Sequence, residues 1–211
     1  MKTLQEIHEG VPPNYYDKSI KSNFGQKIWH QSRFRTISEM LPSEAGKILD
    51  IGCHGGTFTG LIAAVTNTQE VYGIDISHKA IKFAKKRFPQ FNFQVADAQN
   101  LPFGAKFFDG VTCLEVLEHV DEPEKVLLEI KRVLKKNGWA LILVPTENTL
   151  FKFLWFFWTT FGRGRVWQHT HVQNFSGSVL DRLLKKTGFK VEENRYFLFN
   201  MLRAIRIRAS K

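Results

Sequence analysis

Short apolar runs alternate along the chain with stretches whose apolar residues recur at helical spacing. The first run, residues 48–51, is apolar except for one carboxylate and suits a strand buried on both faces of a parallel sheet. From Thr57 to Ala64 the spacing becomes helical, as expected of a helix that packs against such a sheet. This part of the chain therefore predicts a strand, a loop and a helix in succession.

The same alternation continues to the end of the chain. It predicts further strands at 70–76, 91–95, 107–114, 139–144, 189–193 and 204–208. It predicts helices at 24–41, 78–88, 121–138 and 177–187. Residues 1–23 show weak periodicity and a turn-prone aromatic segment. Strands that alternate with helices are typical of the α/β class with a mainly parallel sheet.

A glycine-rich loop follows the first strand. Gly52, Gly55 and Gly56 supply backbone freedom for a sharp turn and for close approach of a ligand to the main chain. A dinucleotide fingerprint needs glycine at the first, third and sixth positions, but the third and sixth are His54 and Thr57. A Gly-Lys-Ser/Thr triplet of the phosphate-loop type is absent from the sequence.

The order Asp-x-Gly-x-x-Gly-Gly from Asp50 to Gly56 resembles motif I of class I S-adenosylmethionine-dependent methyltransferases. The resemblance implies a Rossmann-like, doubly wound sheet of seven strands, mostly parallel with an antiparallel last strand, and helices on both faces. It also implies that the cofactor is S-adenosyl-L-methionine and that the loop holds it, with Asp50 ordering the loop. The loop residues implied are Gly52, Cys53, Gly55 and Gly56.

Two acids behind later strands are candidates for binding the nucleoside. Asp75, followed by Ile76, lies 23 positions after Gly52, near the spacing at which a carboxylate reaches a ribose in such a unit. Asp97 and Ala98 precede a Leu-Pro-Phe and resemble the family's third motif, in which the acid binds the adenine amino group. The alternative for Asp97 is an Asx turn at the end of a strand.

The segment after the fourth strand resembles the Glu-His-Val segment of small-molecule methyltransferases, including those that modify quinones and lipids. The resemblance implies that Leu114 and Glu115 cover the cofactor and that His119 lies beneath the site. His119 and His171 are the candidate proton acceptors, and for each of them a structural role is the alternative. His169 and His171 alternate, but no nearby acid or cysteine completes a ligand set, so no metal is expected.

At 211 residues the chain predicts one domain. We divide it into an N-terminal helical lid (1–45), a cofactor-binding core (46–147), an aromatic insertion on the substrate side (148–175), and a C-terminal helix with the last strands (176–211). By the resemblance, Tyr15 and Tyr16 are expected near the mouth of the site, with simple packing as the alternative.

The formal net charge is +10, which favours an anionic partner. Cys53 and Cys113 lie in apolar segments and are expected to be reduced thiols of a cytoplasmic protein. The N-terminus lacks the apolar core of a signal peptide, and no run approaches the length that spans a bilayer.

Residues 149–161 are dense in aromatic side chains and are followed by two arginines. Such a run matches an interfacial segment, with aromatics at headgroup depth and arginines for anionic lipid. Three interpretations remain open. The segment is a lid over a lipophilic acceptor, a contact of residues 149–165, including Trp155 and Trp158, with an anionic membrane surface, or a dimer or core-packing element.

The sequence thus predicts S-adenosylmethionine-dependent methyl transfer to a small lipophilic acceptor, such as a quinone precursor or a lipid. In-line displacement depends mainly on positioning and on excluding water. The site would operate in the cytoplasm, peripherally at the inner membrane surface. The alternatives are an RNA or protein methyltransferase, favoured by the charge, and a degenerate cofactor-binding subunit. Nucleic acid is disfavoured because the fourth strand lacks an Asn/Asp-Pro-Pro-aromatic sequence and no Pro-Cys nucleophile is present.

Overall fold

The computed structural model describes residues 4–20, 24–161 and 172–209. Its strands are Ile48–Ile51 (β1), Val71–Asp75 (β2), Asn92–Val95 (β3), Phe108–Leu114 (β4), Leu134–Pro145 (β5), Phe189–Phe197 (β6) and Leu202–Ala209 (β7). They form one sheet in the order β3-β2-β1-β4-β5-β7-β6. Strands β1 to β5 run parallel, and β7 runs antiparallel to both of its neighbours. This topology confirms the predicted fold class.

Eight α-helices are described. They are Leu4–Glu9 (α1), Tyr15–Ile20 (α2), Phe24–Met40 (α3), Thr57–Val65 (α4), His78–Arg87 (α5), Pro123–Val133 (α6), Thr149–Phe161 (α7) and Val179–Lys186 (α8). A short 3-10 helix, Leu117–His119, follows β4. The N-terminal segment, which has weak periodicity, thus forms two short helices, and the aromatic run forms a third, longer one.

The helices cover both faces of the sheet because the side chains of its central strands alternate between them. On one face, Leu49 and Ile51 pack in a cluster with buried residues of α6 and α8. On the other face, Ile48 packs with residues of α3 and α4, such as Ile37 and Ile62. Both faces are therefore dry, which explains why β1 is almost continuously apolar.

The boundary between α6 and β5 differs from the prediction. The helix ends at Val133 and the strand begins at Leu134, whereas the charged run up to Gly138 predicted a longer helix and a strand from 139. Leu134 is buried and pairs with Phe108, after which the register shifts before Trp139 meets its partner on β4. The polar residues between Leu134 and Trp139 therefore lie in an irregularity of the pairing between β4 and β5.

Strands β6 and β7 are longer than their apolar pattern predicted. The additional positions are 194–197 on β6 and 202, 203 and 209 on β7. Across the two strands, Arg203 donates to Asn194 at 3.0 Å, and its guanidinium lies 5.1 Å from the centre of the Tyr196 ring. The hydrophobic period did not reveal these positions because polar side chains such as Asn194 and Arg203 interrupt it.

Candidate active site

A cavity of about 450 Å³ opens at the carboxyl ends of β1, β2 and β4, where the strand order reverses. Ligands of open α/β sheets bind at this kind of crevice, and the volume suits a nucleoside-sized ligand. The cavity lining includes eight of the residues predicted from sequence: Gly52, Asp75, Ile76, Asp97, Ala98, Leu114, Glu115 and His119.

Gly52 is the glycine of the loop that borders the cavity. Its φ is +72°, and a Cβ atom at this position would clash with Cγ2 of Val116. The amides of Gly52 and Cys53 both donate to the carbonyl of Ile74, at 2.8 and 2.9 Å. Strand β2 therefore fixes the start of the loop, and the missing side chain leaves the main chain open to a ligand.

Gly55 and Gly56 are absent from the described cavity lining, although the resemblance implied cofactor contact for both. A Cβ atom on Gly55 would collide with the carbonyl of Pro13, and one on Gly56 would lie 3.1 Å from the ring of Phe88. Gly56 also has a φ of +79° at the start of α4. Packing and backbone conformation account for these two glycines, and their contact with a cofactor stays a prediction.

Asp50 lies beneath the loop rather than in the cavity. Its carboxyl oxygens accept hydrogen bonds from Thr59 at 2.6 Å and from Thr112 at 2.8 Å, which joins β1 to α4 and β4. Burial raises the pKa of Asp50 to about 6 despite these two donors. Cys53 is also buried beside a small hollow next to the main cavity, and burial raises the pKa of its thiol.

The two nucleoside candidates differ in their surroundings. Asp75 is buried, and its oxygens accept from the amides of His54 and Ser77, each at 2.9 Å. Each oxygen keeps a second lone pair for a ligand hydroxyl. Asp97 is exposed and accepts from the amide of Gln99 at 2.8 Å, so it forms the Asx turn that the sequence offered as the alternative. It nevertheless lines the cavity.

His54 lies inside the glycine loop, between Gly52 and Gly55. It adopts a left-handed φ of +46°, and its side chain is only 6% exposed. Among the described residues, neither ring nitrogen has a hydrogen-bond partner. Burial lowers the pKa of this histidine, so the neutral ring, which belongs to the cavity lining, carries one donor and one acceptor nitrogen.

Arg33 is a site residue that the sequence interpretation missed. Its guanidinium donates to Glu115 and lies 4.7 Å above the ring of Phe58. Its Nε is buried without a hydrogen-bond partner among the described residues. A signal existed, since Arg33 occupies the same buried stripe of α3 as Ile37 and Met40. A charged residue in an apolar stripe is rarely buried without a function.

The other end of the cavity is aromatic. Three rings of α7, those of Phe151, Trp155 and Trp158, line it, and the ring of Trp155 stacks on Phe151 at 5.4 Å. From the N-terminal helices come Tyr15, Tyr16 and Trp29.

The structure places one of the two candidate proton acceptors. His119 is buried in the cavity wall, with its ring 5.5 Å from that of His8 on α1. His171, with His169, lies outside the described residues. The neighbouring Glu118 was not predicted, yet its carboxyl group is buried in the same wall. Catalytic roles for both histidines stay predictions. Among the described residues, no group of three or more His, Cys, Asp and Glu could hold a metal ion.

A doubly wound sheet with one reversed strand, and a cavity whose polar end lies at the switch point, form the arrangement of Rossmann-like proteins that bind a nucleoside cofactor. Residues 28–194 match the family described as the methyltransferase domain. The chain belongs to this methyltransferase family.

Two relatives align over most of the chain. The ubiquinone biosynthesis O-methyltransferase of Thiobacillus denitrificans is 28% identical over 81% of this chain and 75% of its own length. The demethylmenaquinone methyltransferase of Thermotoga maritima is 30% identical over 75% of this chain and 76% of its own. Matches to other quinone methyltransferases span about half of those proteins, for example 51% and 48%.

A solved structure shows a similar fold. Magnesium protoporphyrin IX methyltransferase of Synechocystis, crystallised with bound SAH, superposes with a TM-score of 0.66 at 21% identity, covering 89% of this chain and 88% of that one. Both thus share the arrangement of sheet and helices.

Proposed function

We propose that this methyltransferase transfers a methyl group to a small, lipophilic, quinone-type acceptor. Its methyl donor is S-adenosyl-L-methionine. The observation that carries the proposal is the cavity itself, which joins a polar end built on β1, β2 and β4 to an aromatic end built on α7. Relatives named for ubiquinone and menaquinone biosynthesis support an acceptor of this kind.

The polar end fits the donor. Buried polar atoms without partners are rare, and Arg33 Nε and both His54 ring nitrogens lie buried beside the glycine loop with no hydrogen-bond partner in the described part of the chain. A ligand with carboxylate, ammonium and hydroxyl groups would satisfy such atoms. We assign the ribose to Asp75 and the adenine side to Asp97 and Ala98. Gly52, Leu114 and Glu115 form the adjoining wall.

The aromatic end fits a flat apolar acceptor. Rings pack favourably against one another, and Trp155 and Trp158 lie 5.2 Å apart at an angle of 58°. We propose that the helical segment 1–45 and the insertion 148–175 close this end of the cavity over the core 46–147. The ring of Tyr16 contacts that of His54 at 5.3 Å, so the closing segment also reaches the glycine loop.

The mechanism depends on positioning. The bound donor supplies a methyl group already activated on a sulfonium. The protein holds the sugar with carboxylates, holds the acceptor between rings and excludes water, and such orientation accounts for a large part of a rate enhancement. His119 borders the cavity. We propose that it and His171 accept the proton of the acceptor hydroxyl.

An isotope-labelled methyl group tests this function by showing which class of molecule receives it. The purified chain is incubated with isotope-labelled S-adenosylmethionine and a cell extract, which is then separated into organic-solvent, RNA and protein fractions. We expect the label in the organic fraction. Label in RNA or protein would support the alternative acceptors and contradict the proposal, and failure to bind the donor at millimolar concentration would indicate a degenerate subunit.

We also propose that the protein associates peripherally with an anionic membrane, at the cytoplasmic face of the inner membrane. No helix among the described residues is long and apolar enough to cross a bilayer. The outer side of α7 nevertheless exposes large rings, such as Phe153 and Phe156, each 58% exposed, and Phe161, 74% exposed. Such rings, placed beside the acceptor end of the cavity, are typical of an interfacial helix.

The charge pattern around this surface favours anionic lipid. The stretch from 148 to 180 contains no Asp or Glu, and neither does the stretch from 18 to 38, which includes most of α3. These two segments meet where the rings of Trp29 and Phe151 lie 6.4 Å apart. The exposed Phe24 extends the apolar surface onto α3. Cationic and aromatic residues without acids complement an anionic bilayer.

Sedimentation with phosphatidylglycerol vesicles tests the association. The structure directs the substitutions to Phe153→Ser with Phe157→Ser, because Trp155 and Trp158 face the cavity instead of the outside. We expect the double variant to lose about tenfold in vesicle partitioning. Leu128→Ser, which alters an exposed residue of α6, should bind as the unmodified chain does. Equal binding of all three would contradict a membrane contact through α7.

A further inference from the structure

The cavity is acidic although the chain is basic. Among the described residues, its lining carries four carboxyl groups and one guanidinium, whereas the chain has a formal net charge of +10. Burial lowers the pKa values of His8, His30 and His54, so these cavity histidines add no positive charge near neutral pH. The carboxyl groups belong to Asp75, Asp97, Glu115 and Glu118.

Three of the four carboxyl groups have partners. Glu115 pairs with the guanidinium of Arg33, and Asp75 accepts two amide hydrogen bonds. Asp97 is exposed to water and accepts one amide hydrogen bond. A carboxylate with such partners keeps its negative charge at a low cost.

Glu118 differs because its carboxyl group accepts a hydrogen bond only from its own main-chain amide among the described residues. It is 1% exposed, and its Oε2 has no hydrogen-bond partner among the described residues. Its main-chain carbonyl accepts from the amides of Val172 and Gln173, at 2.9 and 3.1 Å, so its backbone is fixed.

The charged groups around Glu118 come from three elements. Burial raises its pKa well above the usual range, and the negative charges of Glu115 and Glu147 act in the same direction. Arg33 on α3 opposes this rise, but its guanidinium donates to Glu115. The neighbouring Cys113 is buried, and its thiol stays neutral because burial raises its pKa. The protein thus carries a buried acid whose ionised form a cation bound in the cavity would stabilise.

We propose that Glu118 is the counter-ion of the donor's sulfonium and that it gives the cavity a preference for the charged donor over its neutral product. This inference rests on the proposed function, because it takes S-adenosylmethionine as the donor. After transfer, the sulfur is an uncharged thioether, and the attraction to Glu118 is lost. The same carboxylate therefore strengthens binding of the donor and promotes release of the product.

Titration calorimetry with S-adenosylmethionine and S-adenosylhomocysteine tests the proposal at pH 7. We expect Glu118→Gln to weaken binding of the sulfonium donor by about tenfold or more and that of the thioether product by about twofold or less. Repeating the titrations in two buffers of different ionisation enthalpy measures proton release. The donor should release a proton from the unmodified chain but not from the variant, and the product should release none from either.

Glu122→Gln is the matched control, since it removes one negative charge from an exposed position three residues from the 3-10 helix. It should leave both affinities within about twofold. Equal weakening of both ligands by Glu118→Gln would indicate a structural role and overturn the proposal, as would no weakening at all. If the unmodified chain binds neither ligand, the proposed function itself fails, which is a separate outcome.

Discussion

Different interactions hold the side chains at the two ends of the cavity. At the donor end, carboxylates such as Asp75 are held by main-chain amides of neighbouring loops. At the acceptor end, rings such as Trp155 pack against other rings. Hydrogen bonds fix the type and direction of each group, whereas ring packing fixes little more than shape. Substitutions at the donor end should therefore strongly weaken binding of the donor, and this end should accept few other ligands. The acceptor end should tolerate substitutions and accept apolar ligands of various shapes.

Asp75 gives the largest expected effect. Replacing it with Asn turns an acceptor of two amide hydrogen bonds into a group with only one acceptor oxygen, and it removes the charge that binds hydroxyls. We expect affinity for S-adenosylmethionine, measured by calorimetry, to fall about 100-fold. In Asp97→Asn, which alters an exposed carboxylate, the same affinity should fall by only about threefold. An equal loss of affinity in the two variants would mean that the burial of Asp75 does not make it more important for donor binding than the exposed Asp97.

Trp155 tests the same comparison at the acceptor end of the cavity. Trp155→Ala removes a ring that stacks on Phe151, so we expect the KM of a lipophilic acceptor to rise about tenfold. The affinity for the donor should stay within about twofold. Phe156→Ala, on the outer side of α7, is the control and should change neither value in detergent solution. A loss of donor affinity in Trp155→Ala would show that the two ends are not independent.

Asp50, which lies beneath the loop at the donor end, gives the smallest expected effect, a change in the pH dependence of the free energy of unfolding. Because burial raises its pKa to about 6, the folded state holds this proton more tightly than the unfolded state. The resulting stabilisation is present at low pH and is lost as the pH rises through 6, by about 1 kcal/mol between pH 5 and 8. We expect this dependence to disappear in Asp50→Asn.

Urea unfolding at pH 5, 6, 7 and 8 measures this effect as a difference between the unmodified chain and the variant. Comparison with the variant is needed because ion-paired acids such as Asp181, whose pKa values are lowered, change stability in the opposite direction. The threonine hydroxyls that contact Asp50 can rotate to accept from an amide, so the variant should fold. A difference that stays constant with pH would contradict the raised pKa.

The sequence alone determined the sheet, the glycine loop and the position of Asp75. These depend on local rules, namely the alternation of buried residues along a strand, the conformations open to glycine, and the short distance from one strand to the next. The full lengths of β6 and β7 were not predicted, because polar residues such as Asn194 and Arg203, which are hydrogen-bonded to each other across the two strands, interrupt the hydrophobic period.

Only the tertiary structure determined what completes the site. Arg33 and Glu115 lie 82 positions apart, and Pro13 and Gly55 lie 42 positions apart, so neither contact leaves a local pattern. Only the tertiary structure separated the two sides of α7, because every side of that helix is apolar and its sequence has no polar face to mark the outside. Local periodicity reports burial, but the identity of a partner depends on how distant segments fold together.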